Sequence, residues 1–170
     1  MEPNLDELVW DLDEWEPDAA YRWGESRYCR CFIDEAEGSP ADGGVWRLHD
    51  GESVVFFRDR FEHAFRTSSN RMRHPDIKDV VAVDRIELID WILPILRGQV
   101  PEVECWRIPR KGTKPYPSNR LYVLWGSAYV IWLEPLRRGG YKFSSAYKAS
   151  LEDIRRYVKQ GNRCPERNVP

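Results

Sequence analysis

The sequence has few of the residues that build metal centres or disulfide frameworks. Its 170 residues include four cysteines and three histidines. Only Cys29 and Cys31 are close in sequence, and a single C-x-C pair lacks the second pair that zinc spacing requires. The histidines, His49, His63 and His74, show none of the short helical spacings found in zinc enzymes. We therefore predict reduced thiols, no metal site and no cofactor.

Long apolar runs are also absent from the chain. No run approaches the ~18 residues of a membrane span. The N-terminus begins with acidic residues instead of the basic and apolar segments of a signal peptide. These features predict a cytoplasmic protein with no membrane partner. A chain of 170 residues with 42% hydrophobic content is long enough to bury one compact core.

The net charge of −2 conceals an uneven distribution along the chain. Residues 1–50 hold 14 acidic and 4 basic residues, a balance of −10, whereas residues 51–170 hold 14 acidic and 22 basic residues, a balance of +8. We divide the chain into an acidic N-terminal arm over residues 1–50, a basic domain over residues 51–160 and a flexible tail over residues 161–170. The arm is either a solvated charged segment or a cover that lies over the basic face.

Residues 120–147 contain three apolar segments of strand length, and Gly126-Ser127 joins the first two. A two-residue connection with Gly first predicts a type II′ hairpin in which Val123 faces Val130. Alternation then gives the hairpin one uniformly apolar face and a second face that carries Arg120 and Tyr122. The second face is a binding surface or, if helices cover both sides of the sheet, part of a core with Arg120 at its rim.

The remaining periodicity completes an α+β pattern. A strand over residues 103–108 precedes the hairpin, and Ser150 with Asp153 forms a capping box before the last helix. Three helical patterns are present, over residues 59–68, 76–98 and 151–159. We therefore predict N-terminal helices packed on an antiparallel sheet of about four strands, with a C-terminal helix.

Two ionisable side chains occupy unusual positions on the predicted helices. Arg85 falls inside the apolar arc of the helix over residues 76–98, where an unpaired guanidinium is costly to bury. It therefore has an internal carboxylate partner, lines a polar cleft, or extends to solvent from the edge of the arc. His63 points away from its apolar stripe, one turn from Asp59. This arrangement suits either a general base held in one tautomer or a surface histidine.

Four short motifs follow one another between about residues 53 and 150. They are Phe61-Glu62-His63-Ala64-Phe65, Asp84-Arg85-Ile86 followed by Trp91-Ile92, the hairpin over residues 122–134, and Phe143-Ser144-Ser145-Ala146-Tyr147. Together they resemble the nuclease superfamily named after barnase, EndoU, colicins and RelE, most closely its phage- and mobile-element-associated branches. In those branches F-x-H-A-F precedes a helix containing an arginine, and the last strand ends in F-x-T-A-Y. Ser145 replaces the threonine and keeps the hydroxyl group.

The resemblance implies metal-independent RNA cleavage in which the ribose 2′-hydroxyl attacks the neighbouring phosphate. His63 would act as general acid or base, and Arg85 would stabilise the phosphate charge. Ser145 would hydrogen-bond the phosphate, while Tyr122 and Tyr147 would stack on a base or donate a proton. Further RNA contacts are expected from Arg66, Lys111, Arg120, Arg137 and Arg138. A toxin or effector with RNA as its partner, opposed by a cognate antitoxin or immunity protein, fits the phage-associated branches.

Two other classes of function remain open. A module of the same fold can bind nucleic acid or protein without catalysis. Alternatively, the chain is a regulator or inhibitor that acts through its acidic, Trp-rich arm. Geometry separates these hypotheses, because the nuclease requires His63, Arg85 and Ser145 to converge in one cleft. We further predict that Tyr122 and Tyr147 line the same cleft.

Overall fold

The computed structural model describes residues 2–40, 42–111 and 117–164. Its α-helices are α1 (Pro17–Tyr28), α2 (Arg60–Phe65), α3 (Val83–Glu87), α4 (Ile92–Leu96) and α5 (Leu151–Lys159). Shorter helical turns lie at Leu5–Leu8, Cys29–Asp34, Ile89–Trp91 and Trp125–Ser127. The strands are β1 (Gly43–Arg47), β2 (Ser53–Phe57), β3 (Arg66–Thr67), β4 (Val80–Val81), β5 (Glu104–Ile108), β6 (Asn119–Leu124), β7 (Tyr129–Pro135), β8 (Tyr141–Lys148) and β9 (Asn162–Arg163). None of the described helices is long and apolar enough to span a membrane.

Seven strands form one mixed sheet in the order β1-β2-β8-β7-β6-β5-β9, and β3 pairs with β4 in a separate ribbon. The predicted α+β class is confirmed, but the sheet is larger than the predicted four antiparallel strands. Strands β5 to β8 are antiparallel neighbours. The additional strands come from both ends of the chain, and β2 runs parallel to β8. Parallel pairing needs a long crossover, which the helical region between β2 and β5 helps to supply.

The hairpin between β6 and β7 has the predicted register, with Val123 opposite Val130. Its turn is not of type II′, because Gly126 does not adopt a positive φ. Instead Trp125–Ser127 form a 3₁₀ turn, and Ala128 adopts a left-handed φ of 49°. The apolar alternation of the two strands therefore fixes the register even though the connection differs.

Helices cover both faces of the sheet, so the two-sided core is the alternative that the structure adopts. Tyr122 and Ile131 lie in the larger core on the side of the N-terminal helices. Leu121 packs with Ile154 of α5 in a smaller core on the other side. Arg120 does not lie at the rim but is only 2% exposed. The mixed face of the hairpin is therefore an interior face rather than a binding surface.

The predicted helix over residues 76–98 is wrong in its first part and interrupted later. Val80 and Val81 are β-branched and pair with β3, so the helical path begins only at α3. The turn Ile89–Trp91 then separates α3 from α4. Pro94 lies in the first turn of α4, where its missing N–H loses no intrahelical bond. In contrast, α5 has its predicted bounds and the predicted cap, in which the Ser150 hydroxyl accepts from a backbone N–H.

Residues 1–50 do not form a separate arm, since they contribute to the same core as the following segment. Tyr28 and Phe32 are fully buried in the larger core, and β1 pairs with β2 across the predicted boundary at residue 50. The indole N–H of Trp91 donates to the carbonyl oxygen of Leu5 at 2.9 Å. The indole of Trp10 likewise reaches a carboxylate oxygen of Asp90 at 2.8 Å. The segment therefore completes the core beside α3 and the turn that follows it.

The predicted flexible tail begins within the ordered sheet. Residues 162–163 form β9 and pair with β5. The backbone N–H of Cys164 donates to the carbonyl oxygen of Cys105 at 2.8 Å. The rest of the predicted tail, residues 165–170, lies outside the described residues.

Candidate functional site

A cleft of about 660 Å³ opens beside the C-terminal half of β8. Strand β2 pairs with β8 only at residues 141–142, so within the described sheet the rest of β8 has β7 as its one strand neighbour. The space on the other side is bordered by α2, α3 and the β3-β4 ribbon. His63, Arg85, Ser145 and Tyr147 all line this cavity, which we call the basic cleft.

Local sequence explains how these side chains reach the cleft. The aromatic stripe of α2 is buried in the core, which leaves His63 on the outer side of that helix. On β8 the pairing with β7 contains a β-bulge. Ser145 pairs with Trp132 and Phe143 pairs with the next β7 residue, so Ser144 between them has no partner on β7. The guanidinium of Arg60 donates to the Ser144 hydroxyl at 3.0 Å. Beyond this bulge the alternation resumes, so Ser145 and Tyr147 share one side of the strand.

Arg85 is held by one hydrogen bond and one aromatic ring. Its Nη1 donates to the carbonyl oxygen of Ala64 at 3.0 Å, and its Cζ lies 4.7 Å from the centroid of the Tyr147 ring. The Tyr147 hydroxyl accepts from the Trp132 indole at 3.1 Å and lies 3.3 Å from the Tyr157 hydroxyl. Of the three alternatives for Arg85, the structure therefore shows the polar cleft, with Tyr147 fixed beneath the guanidinium.

Basic side chains outnumber acidic ones in the cleft. The basic group comprises His63, Arg71, Lys78, Arg85 and Lys148, and the carboxylates are Asp84 and Asp153. No carboxylate among the described residues forms an ion pair within 4.0 Å of Arg71, Lys78 or Arg85. Burial lowers the pKa of Lys78, and the charges of Arg85 and Arg71 lower it further. These cations repel one another, so a bound phosphate would relieve the repulsion.

His63 is poised to accept a proton. Partial burial lowers the pKa of its imidazole, and the nearby charges of Arg60 and Lys78 act in the same direction. The ring is therefore neutral at pH 7, which is the state that a general base needs. Asp59, the carboxylate expected to orient this ring, is not among the main causes of its pKa shift. Burial, assisted by the nearby cations, therefore keeps the imidazole neutral.

Tyr122 and Arg120 lie elsewhere, which corrects two of the predicted site residues. Both project from β6 into the larger core. The Tyr122 hydroxyl lies 2.8 Å from Nδ1 of His49, and burial raises its pKa far above the usual range. Arg120 forms an ion pair with Asp50 at 2.9 Å and lies over the Tyr141 ring. Both groups are buried and partnered, and neither lines the basic cleft.

The other predicted RNA contacts also lie outside the basic cleft. Arg66 lies over the Tyr21 ring, with Cζ 4.1 Å from the ring centroid. Lys111 borders a different cavity beside α5. Arg137 and Arg138 are exposed in the turn between β7 and β8. None of these four basic residues is among those that line the cleft.

Sequence reasoning missed the basic residues that come from the segment between β3 and β4. Arg71 and Lys78 line the cleft, although the helical prediction over residues 76–98 assigned Lys78 to a helix. The short basic segment around Arg71, Arg73 and Lys78 is the feature that identifies this wall in the sequence. The acidic arm does not cover the cleft, because no residue of the 1–50 segment lines it. Among the described residues the arm therefore does not mask the basic cleft, although its Tyr21 and Asp50 contact Arg66 and Arg120, two of the predicted RNA contacts.

One group of carboxylates in the described part of the chain has ligand atoms close enough to share a metal ion. It consists of Asp11, Asp13 and Glu87, whose ligand atoms lie within 4.8 Å of one another. A carboxylate oxygen of Glu87 already accepts a hydrogen bond from the backbone of Leu12 at 3.0 Å. This group lies outside the basic cleft, so it adds nothing to the chemistry of that site.

Comparisons with known proteins do not assign a function to this chain. No protein-family model, curated protein or solved structure matches this chain. The resemblance to the nuclease superfamily therefore rests on its four motifs and stays a prediction. The chemistry of the site has to be argued from the residues that meet in the basic cleft.

Proposed function

We propose that this protein is a metal-independent endoribonuclease that cleaves RNA by attack of a ribose 2′-hydroxyl on the adjacent phosphate. The observation that carries the proposal is the meeting of His63, Arg85 and Ser145 in one cation-rich cleft. These residues come from α2, α3 and β8, and each is of a type that the reaction uses. Such an arrangement supplies a base, a phosphate-binding cation and a hydroxyl donor.

Each residue has a role that follows from its surroundings. Neutral His63 removes the proton from the 2′-hydroxyl as the oxygen attacks phosphorus. Arg85 and the Ser145 hydroxyl donate hydrogen bonds to the phosphate oxygens, whose negative charge increases in the transition state. Lys78, whose pKa is lowered, releases its proton more readily than an ordinary lysine and protonates the departing 5′-oxygen. Tyr147 positions Arg85, because its hydroxyl is already engaged.

The proposal fixes the products and the substrate class. Attack by the 2′-hydroxyl leaves a 2′,3′-cyclic phosphate on one fragment and a 5′-hydroxyl on the other. DNA lacks the nucleophile and is not cut. The phage- and mobile-element-associated resemblance adds a setting, in which the protein is a cytoplasmic toxin or effector and a cognate antitoxin or immunity protein binds it.

An exposed aromatic patch supports a second candidate, a regulator that binds a basic protein surface. Val9, Trp10 and Trp15 are 46%, 37% and 44% exposed. Trp10 is anchored edge-on to Trp23, with ring centroids 4.9 Å apart. Acidic residues alternate with these rings in the sequence, which suits contacts with Lys and Arg of a partner.

The test is incubation of the purified full chain with mixed single-stranded RNA in EDTA, followed by analysis of the fragment ends. We expect cyclic phosphate and 5′-hydroxyl ends, and no cleavage of DNA of the same sequence. His63→Ala should abolish the activity, while His74→Ala serves as a matched control because His74 does not line the cleft. Tight RNA binding without cleavage would instead indicate a non-catalytic binding module. Absence of both would favour the regulator.

A further inference from the structure

Cys105 and Cys164 face each other at the edge of the sheet. The β5-β9 ladder pairs Trp106 with Arg163, which places the two cysteines at the next opposed positions. The backbone N–H of Cys164 donates to the carbonyl oxygen of Cys105 at 2.8 Å. Their sulfur atoms are also 2.8 Å apart, and both residues are free thiols. Two residues distant in sequence therefore present their thiols to each other across one rung of the ladder.

The backbone at this position accommodates a disulfide. Directly opposed residues of antiparallel strands have Cα atoms about 4.5–5.5 Å apart. Disulfides form at Cα separations of about 4.4–6.8 Å. Formation of a Cys105–Cys164 bond therefore needs movement of the side chains and no rearrangement of the two strands.

The thiol pair is reached through a second cavity, also of about 660 Å³. Cys105, Cys164 and Arg97 are among its lining residues, and Arg163, half of whose side chain is exposed, lies at its edge. This cavity shares no lining residue with the basic cleft. The thiols therefore belong to a different site from the one proposed for RNA.

The surroundings give the two sulfurs unequal reactivity. The hydrogen bond donated by the Cys105 thiol lowers the pKa of Cys164, and the charges of Arg120 and Arg107 assist. The same hydrogen bond, together with burial, raises the pKa of Cys105. The thiolate is the nucleophile in thiol-disulfide exchange. Cys164 is therefore the attacking sulfur, and Cys105 is the resolving one.

We propose that Cys105 and Cys164 form a reactive dithiol site that exchanges with small-molecule disulfides such as oxidised glutathione. The Cys164 thiolate attacks one sulfur of the small disulfide, forms a mixed disulfide and releases one small thiolate. Cys105 then loses its proton and attacks the Cys164 sulfur, which expels the second small thiolate. The protein loses two protons and two electrons, and one small disulfide takes them up to become two thiols. The resulting bond ties the end of β9 to β5, and excess small thiol reverses it.

The experiment treats the reduced full chain with oxidised glutathione, traps free thiols by alkylation and maps the products by peptide mass. We expect a Cys105–Cys164 disulfide that disappears on addition of excess reduced glutathione. Cys105→Ser should accumulate a glutathione adduct on Cys164, because the resolving thiol is missing. Cys164→Ser should leave Cys105 modified at least about tenfold more slowly, because the remaining thiol is rarely ionised.

The other two cysteines provide the matched control. Burial raises the pKa of Cys29, and a chain with both Cys29→Ser and Cys31→Ser should form the disulfide at the unchanged rate. Peptide mapping of the wild-type chain decides the proposal even if a variant fails to fold. Glutathione on Cys29 or Cys31, with Cys105 and Cys164 still reduced, would overturn it. So would a folded Cys105→Ser chain that gains no adduct on Cys164.

Discussion

Two arginines, Arg85 and Arg120, are held over tyrosine rings in similar geometry but have different partners. The Cζ–centroid distances are 4.7 Å for Arg85 and 4.5 Å for Arg120. Arg120 is buried in the core and forms an ion pair with Asp50 at 2.9 Å. Arg85 lines the basic cleft and, among the described residues, its guanidinium hydrogen-bonds to a neutral acceptor, the carbonyl oxygen of Ala64. The positive charge of Arg120 is therefore neutralised within the fold, whereas the positive charge of Arg85 is not.

The pKa shifts around the two arginines follow from these partners. Burial raises the pKa of the Asp50 carboxyl, but the charge of Arg120 and the hydrogen bonds to the carboxylate, with a smaller contribution from His49, together outweigh burial, so the net pKa is lowered. Burial lowers the pKa of Arg85, and Asp84 offsets this only in part. An arginine paired with its own carboxylate has its charge neutralised within the fold, so that removal of one partner is costly. An arginine held by a carbonyl and a ring keeps its charge for an anionic ligand, which is the property that RNA cleavage requires.

The largest expected effect is on catalysis in the cleft that contains Arg85. His63→Ala should lower RNA cleavage by at least ~100-fold, since general acid-base groups contribute ~10² to 10⁴ in rate. The free energy of unfolding should change by less than about 0.5 kcal/mol, as for other exposed side chains. Cleavage rates and thermal midpoints of His63→Ala and His74→Ala provide the measurement. Equal activity of the two variants would remove His63 from the mechanism.

Substitution of the two arginines should give the next largest effects. We expect Arg120 to affect mainly stability and Arg85 to affect mainly cleavage. Arg120→Met should lower the free energy of unfolding by about 2–4 kcal/mol, because it leaves the half-buried Asp50 without its partner. Cleavage by the protein that remains folded should be nearly unchanged. Arg85→Met should lower cleavage by about 100-fold and change the unfolding free energy by less than about 1 kcal/mol. Urea unfolding and cleavage assays on both variants measure the two quantities.

A double variant sharpens this result. Removal of both Arg120 and Asp50, as Arg120→Met with Asp50→Leu, should recover much of the stability, because no buried charge is left alone. If Arg120→Met instead abolished cleavage without loss of stability, the distinction between the two arginines would be wrong.

Sequence patterns predicted the local features that depend on neighbouring residues. The register of Val123 with Val130 follows from alternation along two adjacent strands, and the cap at Ser150 follows from a residue three positions away. The outward position of His63 follows from the buried stripe of α2. Each of these relations lies within a short stretch of the chain, where periodicity alone determines which side chain faces the core.

The errors concern partners that are distant in sequence. Arg120 was expected to contact RNA, but its ion-pair partner Asp50 comes from the turn between β1 and β2, and no spacing rule connects the two. The charge of residues 1–50 predicted a separate arm, whereas Tyr28 and Phe32 show that the segment has a buried side. Two-residue strands such as β4 are too short for alternation to reveal. Tertiary pairing decided each of these cases.

The pH dependence of cleavage tests the protonation state of His63, and the expected change in rate is smaller than that caused by the substitutions. Because the pKa of His63 is lowered from its usual 6.5, kcat/KM should fall only below about pH 6.5 and be flat just above it. The free energy of unfolding should also fall as the pH decreases through this range. Above pH 6.5 the imidazole is neutral in both states, and on acidification the unfolded chain binds a proton that the folded chain does not, so the folded state loses stability. A fall in kcat/KM as the pH rises through about 6.5 would instead mean that His63 reacts as an imidazolium.

The smallest expected effect concerns RNA affinity and separates cleft cations from surface cations. Lys78 lines the basic cleft, whereas Arg138 is exposed in the turn between β7 and β8. Each phosphate contact with single-stranded RNA contributes about 0.7 to the slope of log affinity against log salt. Lys78→Ala should therefore reduce that slope by about 0.7 and weaken binding several-fold at low salt, while Arg138→Ala should change neither. Fluorescence anisotropy with 2′-O-methyl RNA measures both without cleavage, because the blocked 2′-oxygen is no longer a nucleophile. Equal loss of slope in both variants would show that RNA contacts the basic surface generally, and the contrast between Arg85 and Arg120 would then describe folding rather than recognition.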